Sequence, residues 1–305
     1  MSDERPTVRP VTLMRLVEVT HACRDEALPT KAIESALDVS HRRARETILE
    51  AARIDLLDEH GPADETDAAV YQTTTVGENF LDAVMQEDWE QASDILEKRS
   101  PHYGAFLETL DGLEDTATGT LDVLLNELEK GAEFTPYAYN QTSIEVIGDW
   151  AERLGAIQRN AFTGTYYPVE THTVPSNFPW VLLSVFDELE ETTGVGMRQR
   201  YLSIPLLREH TCERLALPRS VFDEALVDLA SENVGKLELS GAPVDTGAKD
   251  ARLGVKTIRL ADEDGLVSTD QSTDQVMRGV EQYGKRYYYL AVHDRDLTFS
   301  TEKSV

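Results

Sequence analysis

The chain has 305 residues, 41% of them apolar, and 56 acidic against 29 basic side chains, for a formal net charge of −27. That apolar share can build cores, which excludes a disordered acidic tail, and two isolated cysteines exclude a disulfide framework. No stretch approaches the roughly 18 apolar residues of a membrane helix, and Asp3, Glu4 and Arg5 precede any apolar run, unlike a secretory leader. A cytoplasmic protein with no membrane contact is expected, with two or three domains at about 150 residues each.

In residues 8–90, Val11 to Cys23 reads as a helix with Leu13, Leu16, Val17 and Val19 apolar. Pro29-Thr30 starts a second helix through Leu37, the proline standing where its missing N–H is harmless. After the tight connection Asp38 to Ser40, a third helix is predicted from His41 to about His60. Ser40 would be its N-cap, and Ile48, Leu49, Ile54, Leu56 and Leu57 its apolar stripe. Gly61 to Asp67 reads as a loop tip, Val70 to Thr73 as a strand, and Thr75 opens another helix that leads to a helical linker from Asp88 to Leu113.

The middle stretch offers a helix at Leu121 to Leu125, a second from Ser143 to Leu154 capped by Thr142, and a β-rich segment from Phe162 to Val169. Its last helix carries Glu145, Asp149 and Glu152 against one cation, Arg153. Phosphates would be repelled there, so a protein partner is expected instead. Helices follow at Trp180 to Leu189, Ile204 to Leu217 and Arg219 to Ser231, then alternating strands at Lys236 to Leu239 and Val255 to Leu260. The Gly-, Pro- and Asp-rich connection Ser240 to Gly254 reads as a long exposed loop. A helix from Asp274 to Tyr283 and a strand from Tyr287 to Val292 complete the chain. Net charge is −11 over residues 1–100, −12 over 101–190 and −4 over 191–305.

Against this acidity, Arg42, Arg43 and Arg45 crowd the start of the third helix, beside Ser40 and His41. Guanidinium groups and free backbone N–H groups at a helix N-terminus suit duplex phosphates and guanine edges. The order helix, helix, turn, helix, strand hairpin, helix resembles the winged helix-turn-helix superfamily. The resemblance implies an α+β fold, mainly α with small β wings, in three tandem units: residues 1–100, 101–172 and 173–305. It further implies double-stranded DNA as partner, read by Ser40, His41, Arg42, Arg43 and Arg45. Lys249, Arg252, Lys256 and Arg259, on or beside the long C-terminal wing, would follow the backbone.

The even spread of carboxylates, with only 8 lysines, resembles proteins of halophilic archaea. An ordinary acidic protein that avoids nucleic acid would show similar totals. No phosphate-binding Gly-Lys-Thr loop, dinucleotide fingerprint or paired His-Glu metal helix occurs, so no enzyme activity, cofactor or metal is expected. The acidic runs Asp262 to Asp264 and Asp294 to Asp296 lack the spacing of a metal loop. Two functions stay open. One is a DNA-binding regulator or the DNA-contacting subunit of a larger DNA-processing or defence assembly. The other is a tandem winged-helix interaction subunit of a chromosome-organising ATPase-type complex, which reads no DNA.

Overall fold

The computed structural model describes residues 6–61, 69–113, 118–133, 135–170, 172–193, 201–241, 251–260 and 266–299. Lys249, the run Asp262 to Asp264, most of the Ser240–Gly254 connection and the Gly61–Asp67 tip beyond Gly61 lie outside them. The fold mixes helices with several small sheets. In chain order the elements begin α1 (Leu13–Ala22), β1 (Leu28–Pro29), α2 (Thr30–Leu37), α3 (His41–Arg53), β2 (Leu57–His60), β3 (Val70–Thr73) and α4 (Thr75–Met85). Then come α5 (Trp89–Arg99), α6 (Pro101–Asp111), α7 (Leu121–Ala132), α8 (Gln141–Arg153), β4 (Ile157–Arg159), β5 (Tyr166–Pro168) and α9 (Phe178–Thr193). The rest are β6 (Leu202–Ser203), α10 (Ile204–Leu215), α11 (Arg219–Glu232), β7 (Leu237–Ser240), β8 (Val255–Arg259) and β9 (Ser268–Ser272). The chain closes with α12 (Thr273–Val276), β10 (Val280–Gln282), β11 (Lys285–Tyr287) and β12 (Tyr289–Val292).

Two compact units result: Met1–Ile157 with Lys256–Asp270, and Gln158–Val255 with Gln271–Val305. These are not the expected divisions at residues 100 and 172. The physical reason is that residues 101–157 share buried bonds with the start of the chain. Trp150 Nε1 donates to Val11 O at 2.9 Å, and Ala138 N to Pro6 O at 3.1 Å.

In the first unit α1, with Leu13, Leu16 and Val17 buried, packs against α2 and α3, whose Ile33 and Ile48 are buried. Each such side chain contributes about 1.5–3 kcal/mol by leaving water. The third helix stops at Arg53, earlier than the sequence suggested: Ile54 caps it and Asp55 takes a left-handed φ of 62°. Leu56 and Leu57 extend the helical stripe by spacing, but Leu56 lies in the bend after the helix and Leu57 opens β2, where Leu57 pairs with Thr73 and His60 with Val70. β1, which has no sequence signature, pairs with the other edge of β3, giving an antiparallel sheet of order β1-β3-β2. α4 runs beneath that sheet, capped by Thr74 Oγ1 on Gly77 N at 3.0 Å. A Cβ at Gly77 would sit 2.3 Å from Leu56 O, so this crossing requires glycine. α8 is capped by Asn140, in a reciprocal pair with Ser143, rather than by Thr142.

The second unit is built on Phe178, Leu182, Leu207, Phe222, Leu226 and Leu290, with the Phe178 and Phe222 rings edge to face at 5.8 Å. Its sheet has order β6-β12-β7. The expected wing of β7 with β8 is therefore corrected: β7 pairs with β12 (Leu237 with Val292, Ser240 with Tyr289), and β8 pairs with β9. The Asp274–Tyr283 helix is also corrected. One short turn, α12, is followed by the antiparallel hairpin β10–β11, because Tyr283 and Gly284 both turn left-handed at φ 51° and 70°. Trp180, near the start of α9, is 67% exposed.

Candidate nucleic-acid interface

α3 begins after Asp38, whose left-handed φ of 49° ends α2 and turns the chain. Ser40 is the extended N-cap residue, but its side chain makes no capping bond. The N-terminal turn of α3 is wet on its outer face: Ser40, His41, Arg42, Arg43 and Arg45 are all exposed, while Ala44, Thr47 and Ile48 face inward. They do not stand equal. The His41 ring pairs with Glu34, and Arg42 Nε donates to Glu46 Oε1 at 2.9 Å. Arg43 and Arg45 make no ion pair among the described residues. Arg45 lies close enough to β3 for its charge to act on the Tyr71 phenol.

At the C-terminal end of α3 lies a cluster that sequence reasoning missed. Glu50 is fully buried and accepts from Arg53 Nε at 3.2 Å and from Arg9 N and Nη1 at 3.3 and 3.4 Å. Arg53 Nη1 reaches His102 Nδ1 at 2.9 Å, and His102 Nε2 donates towards Pro6 O and Ala138 O at 3.2 and 3.3 Å. Burial, and then the Arg53 charge, hold the His102 pKa below its ordinary value. A Glu and an Arg three apart on the apolar side of the helix were the available signal. The cluster ties the C-terminal end of α3 to the N-terminal arm, to α6 and to the segment before α8, so the helix that carries the arginines is anchored.

The C-terminal candidates are divided between the two units. Lys249 lies outside the described residues. Arg252 is exposed, with its backbone N–H on Ala161 O at 3.0 Å, and belongs to the second unit. Lys256 belongs to the first unit and is corrected outright: its ammonium, only 10% exposed, pairs with Asp149 and Glu152 of α8 at 3.2 Å each. Arg259, in the same unit, is 61% exposed and lies 3.6 Å from Asp270. Arg153 bonds Asp149 at 2.9 Å and the carbonyls of Thr257 and Asp270 at 3.1 and 3.0 Å. The acidic side of α8 is thus largely neutralised from within its own unit. The expected protein-docking surface there shrinks to residues such as exposed Glu145.

α11 holds the place in the second unit that α3 holds in the first. Its first residue, Arg219, is spent internally, with Nε and Nη2 on the buried Glu209 carboxylate at 2.6 and 2.8 Å. Asp223 of α11 takes Arg208 Nε at 2.7 Å, while Arg208 Nη1 and Nη2 donate to Val276 O and Arg278 O at 3.0 and 2.6 Å. The segment from α12 to β10 is thereby fastened to α10 and α11. Burial raises the Asp223 and Glu213 pKa values and pushes the Cys212 thiol up, away from a reactive thiolate.

No family model and no curated protein matches the chain. Among solved structures, one titled as a magnesium ion-bound SspB crystal structure is similar to it at a TM-score of 0.40 and 13% identity, over 78% of this chain and 81% of that one. That likeness is too slight to assign a fold or a role.

Proposed function

We propose that the chain binds double-stranded DNA through the first turn of α3, with α1 to α4 and their sheet acting as a winged helix-turn-helix unit. The single observation that carries this is the pair Arg43 and Arg45. Both are exposed and without an ion pair among the described residues, at a helix N-terminus, in a chain of net charge −27. The buried Glu50 cluster supports it, since a groove-reading helix must be held rigidly. The second unit repeats the sheet order, which is consistent with tandem units. A halophilic setting fits the carboxylate excess and the choice of arginine over lysine at this turn.

The test is fluorescence anisotropy of the full chain with duplex DNA in molar potassium chloride. The double variant Arg43→Glu/Arg45→Glu should bind at least about a hundredfold more weakly. Parent-like affinity in a variant with an unchanged circular dichroism spectrum would sink the assignment. A second reading, as an interaction subunit of a chromosome-organising ATPase-type complex, is favoured by Trp180 and Met85, which are 67% and 51% exposed. On that reading the same variant would lose a protein partner and no DNA affinity.

A further inference from the structure

We infer that the β10–β11 hairpin is a second nucleic-acid contact, in which Lys285, Arg286 and Arg278 grip backbone phosphates and the Tyr283 ring lies on a sugar or base edge. Tyr283 stands at the hairpin tip, 88% exposed, in a left-handed conformation at φ 51° that bulky side chains rarely adopt. A ring so exposed adds nothing to the core, and asparagine or glycine would fit that turn with less strain. Strain of this kind at an exposed aromatic marks a contact surface.

The charges around it agree. Arg278 and Arg286 are 59% and 47% exposed and share one carboxylate, Glu281, at 4.0 and 3.9 Å. Lys285 is exposed and has no ion pair among the described residues. Within residues 278–286 three cations stand against one carboxylate, and Asp223, which Arg278 also reaches electrostatically, is already paired with Arg208. In a chain otherwise strongly acidic such a cationic tip suits a polyanion. A tip with one aromatic ring between cations suits the sugar-phosphate and base surfaces of nucleic acid, since it lacks the apolar area a lipid surface requires.

The tip also has a firm base. Val280 is buried, and Gln282 Nε2 donates to Ser231 Oγ of α11 at 2.7 Å. Gly279 lies so close to β11 that a Cβ would meet Tyr287 O at 2.1 Å. Arg208 holds the Arg278 carbonyl at 2.6 Å from within the core. The contact shares with the α3 assignment only its class of ligand.

The experiment uses the full chain and a duplex of arbitrary sequence, titrated by anisotropy over a series of potassium chloride concentrations. Lys285→Gln/Arg286→Gln should lower the slope of log K against log salt by about 1.8, two lost phosphate contacts. Tyr283→Asn keeps a residue suited to the left-handed turn, so the hairpin persists. It should weaken binding about fivefold or more with the slope unchanged. Parent affinity and slope in both hairpin variants, with Arg43→Glu/Arg45→Glu still weakened, would overturn the hairpin contact and leave α3 standing. The reverse pattern would keep the hairpin and remove α3. No duplex binding by the parent chain would overturn both.

Discussion

α3 and α11 are placed alike: each follows two helices and a two-residue strand, and each precedes a strand at one edge of a three-stranded sheet. The orders β1-β3-β2 and β6-β12-β7 both set the last strand in the centre. What separates them is the path from the edge strand to the central one. In the first unit it is residues 61–69; in the second it is residues 241–288, which include α12 and the β10–β11 hairpin. The α12-to-β10 part of the second excursion is fastened to α10 through Arg208, which also takes Asp223 of α11, while Arg219 of α11 is committed to Glu209 of α10. In the first unit the equivalent side chains stay in water. Position in a fold therefore offers a helix for contact, and the neighbouring segments decide whether the offer stands.

The largest expected effect comes from Arg208, which fastens that excursion. Its side chain is 2% exposed and bonds one carboxylate and two carbonyls. Arg208→Met keeps most of the volume but strands those acceptors, and should cost about 3 kcal/mol. The low end of the range applies because the Asp223 side chain is 35% exposed and can turn to water. Urea unfolding at fixed high salt measures this. A parent-like midpoint would show that the excursion is held on α11 by its apolar contacts alone, and that the contrast with α3 does not depend on Arg208.

A smaller effect distinguishes a directed contact at α3 from a diffuse one. Arg43→Lys/Arg45→Lys keeps the charge and removes the planar fork that makes paired hydrogen bonds. Counterion release contributes little in molar salt, so directed bonds must carry the affinity. The lysine variant should bind duplex DNA roughly tenfold more weakly at high salt. Equal affinities by anisotropy would mean that α3 offers only a positive field, as a solvated basic patch would.

The first unit was the more readable of the two from its sequence. Leu13, Leu16, Val17 and Ile33 recur at helical spacing, and both the start of α3 and the strand at Val70 carry local signals. The end of α3 was not readable, because Leu56 and Leu57 continue a helical stripe that only the left-handed Asp55 interrupts. β1 has two residues, too few for any period. In the second unit the obstacle was sequence distance. β7 pairs with a strand beyond residues 241–288, which leaves no local mark, so the nearer strand β8 looked like its partner. Val276 and Val280 keep helical spacing, although α12 ends at Val276 and Val280 opens β10. At the candidate site, the arginine cluster was visible from composition. That Arg42 is paired while Arg43 and Arg45 make no ion pair among the described residues depends on side-chain reach. The Lys256 pairs involve residues more than a hundred positions upstream, where a strand cation reads as solvent-facing.

The smallest expected effect concerns the cluster at the C-terminal end of α3. His102 is buried between Tyr137 and Tyr139, with ring centroids at 5.0 and 5.1 Å, and its Nδ1 accepts from Arg53. A second proton would have to enter Nδ1, directly against that guanidinium. Burial and Arg53 accordingly depress the folded-state pKa below the ordinary 6.5. Below the unfolded-state value the unfolded chain binds the proton more readily than the folded one. The neutral ring's contribution is therefore complete above that value and is lost as pH falls through it. Urea midpoints should fall between about pH 7.5 and about pH 5.5. His210, half-buried and also depressed, contributes to the same trend, so the His102 part is read from the variant rather than from the parent curve. His102→Gln can still accept from Arg53 and donate to a carbonyl, but it does not titrate. Its midpoints should decline less steeply than the parent's over that interval. Parallel curves would mean that Arg53 moves aside on acidification, and that the cluster at the C-terminal end of α3 is softer than its hydrogen bonds imply.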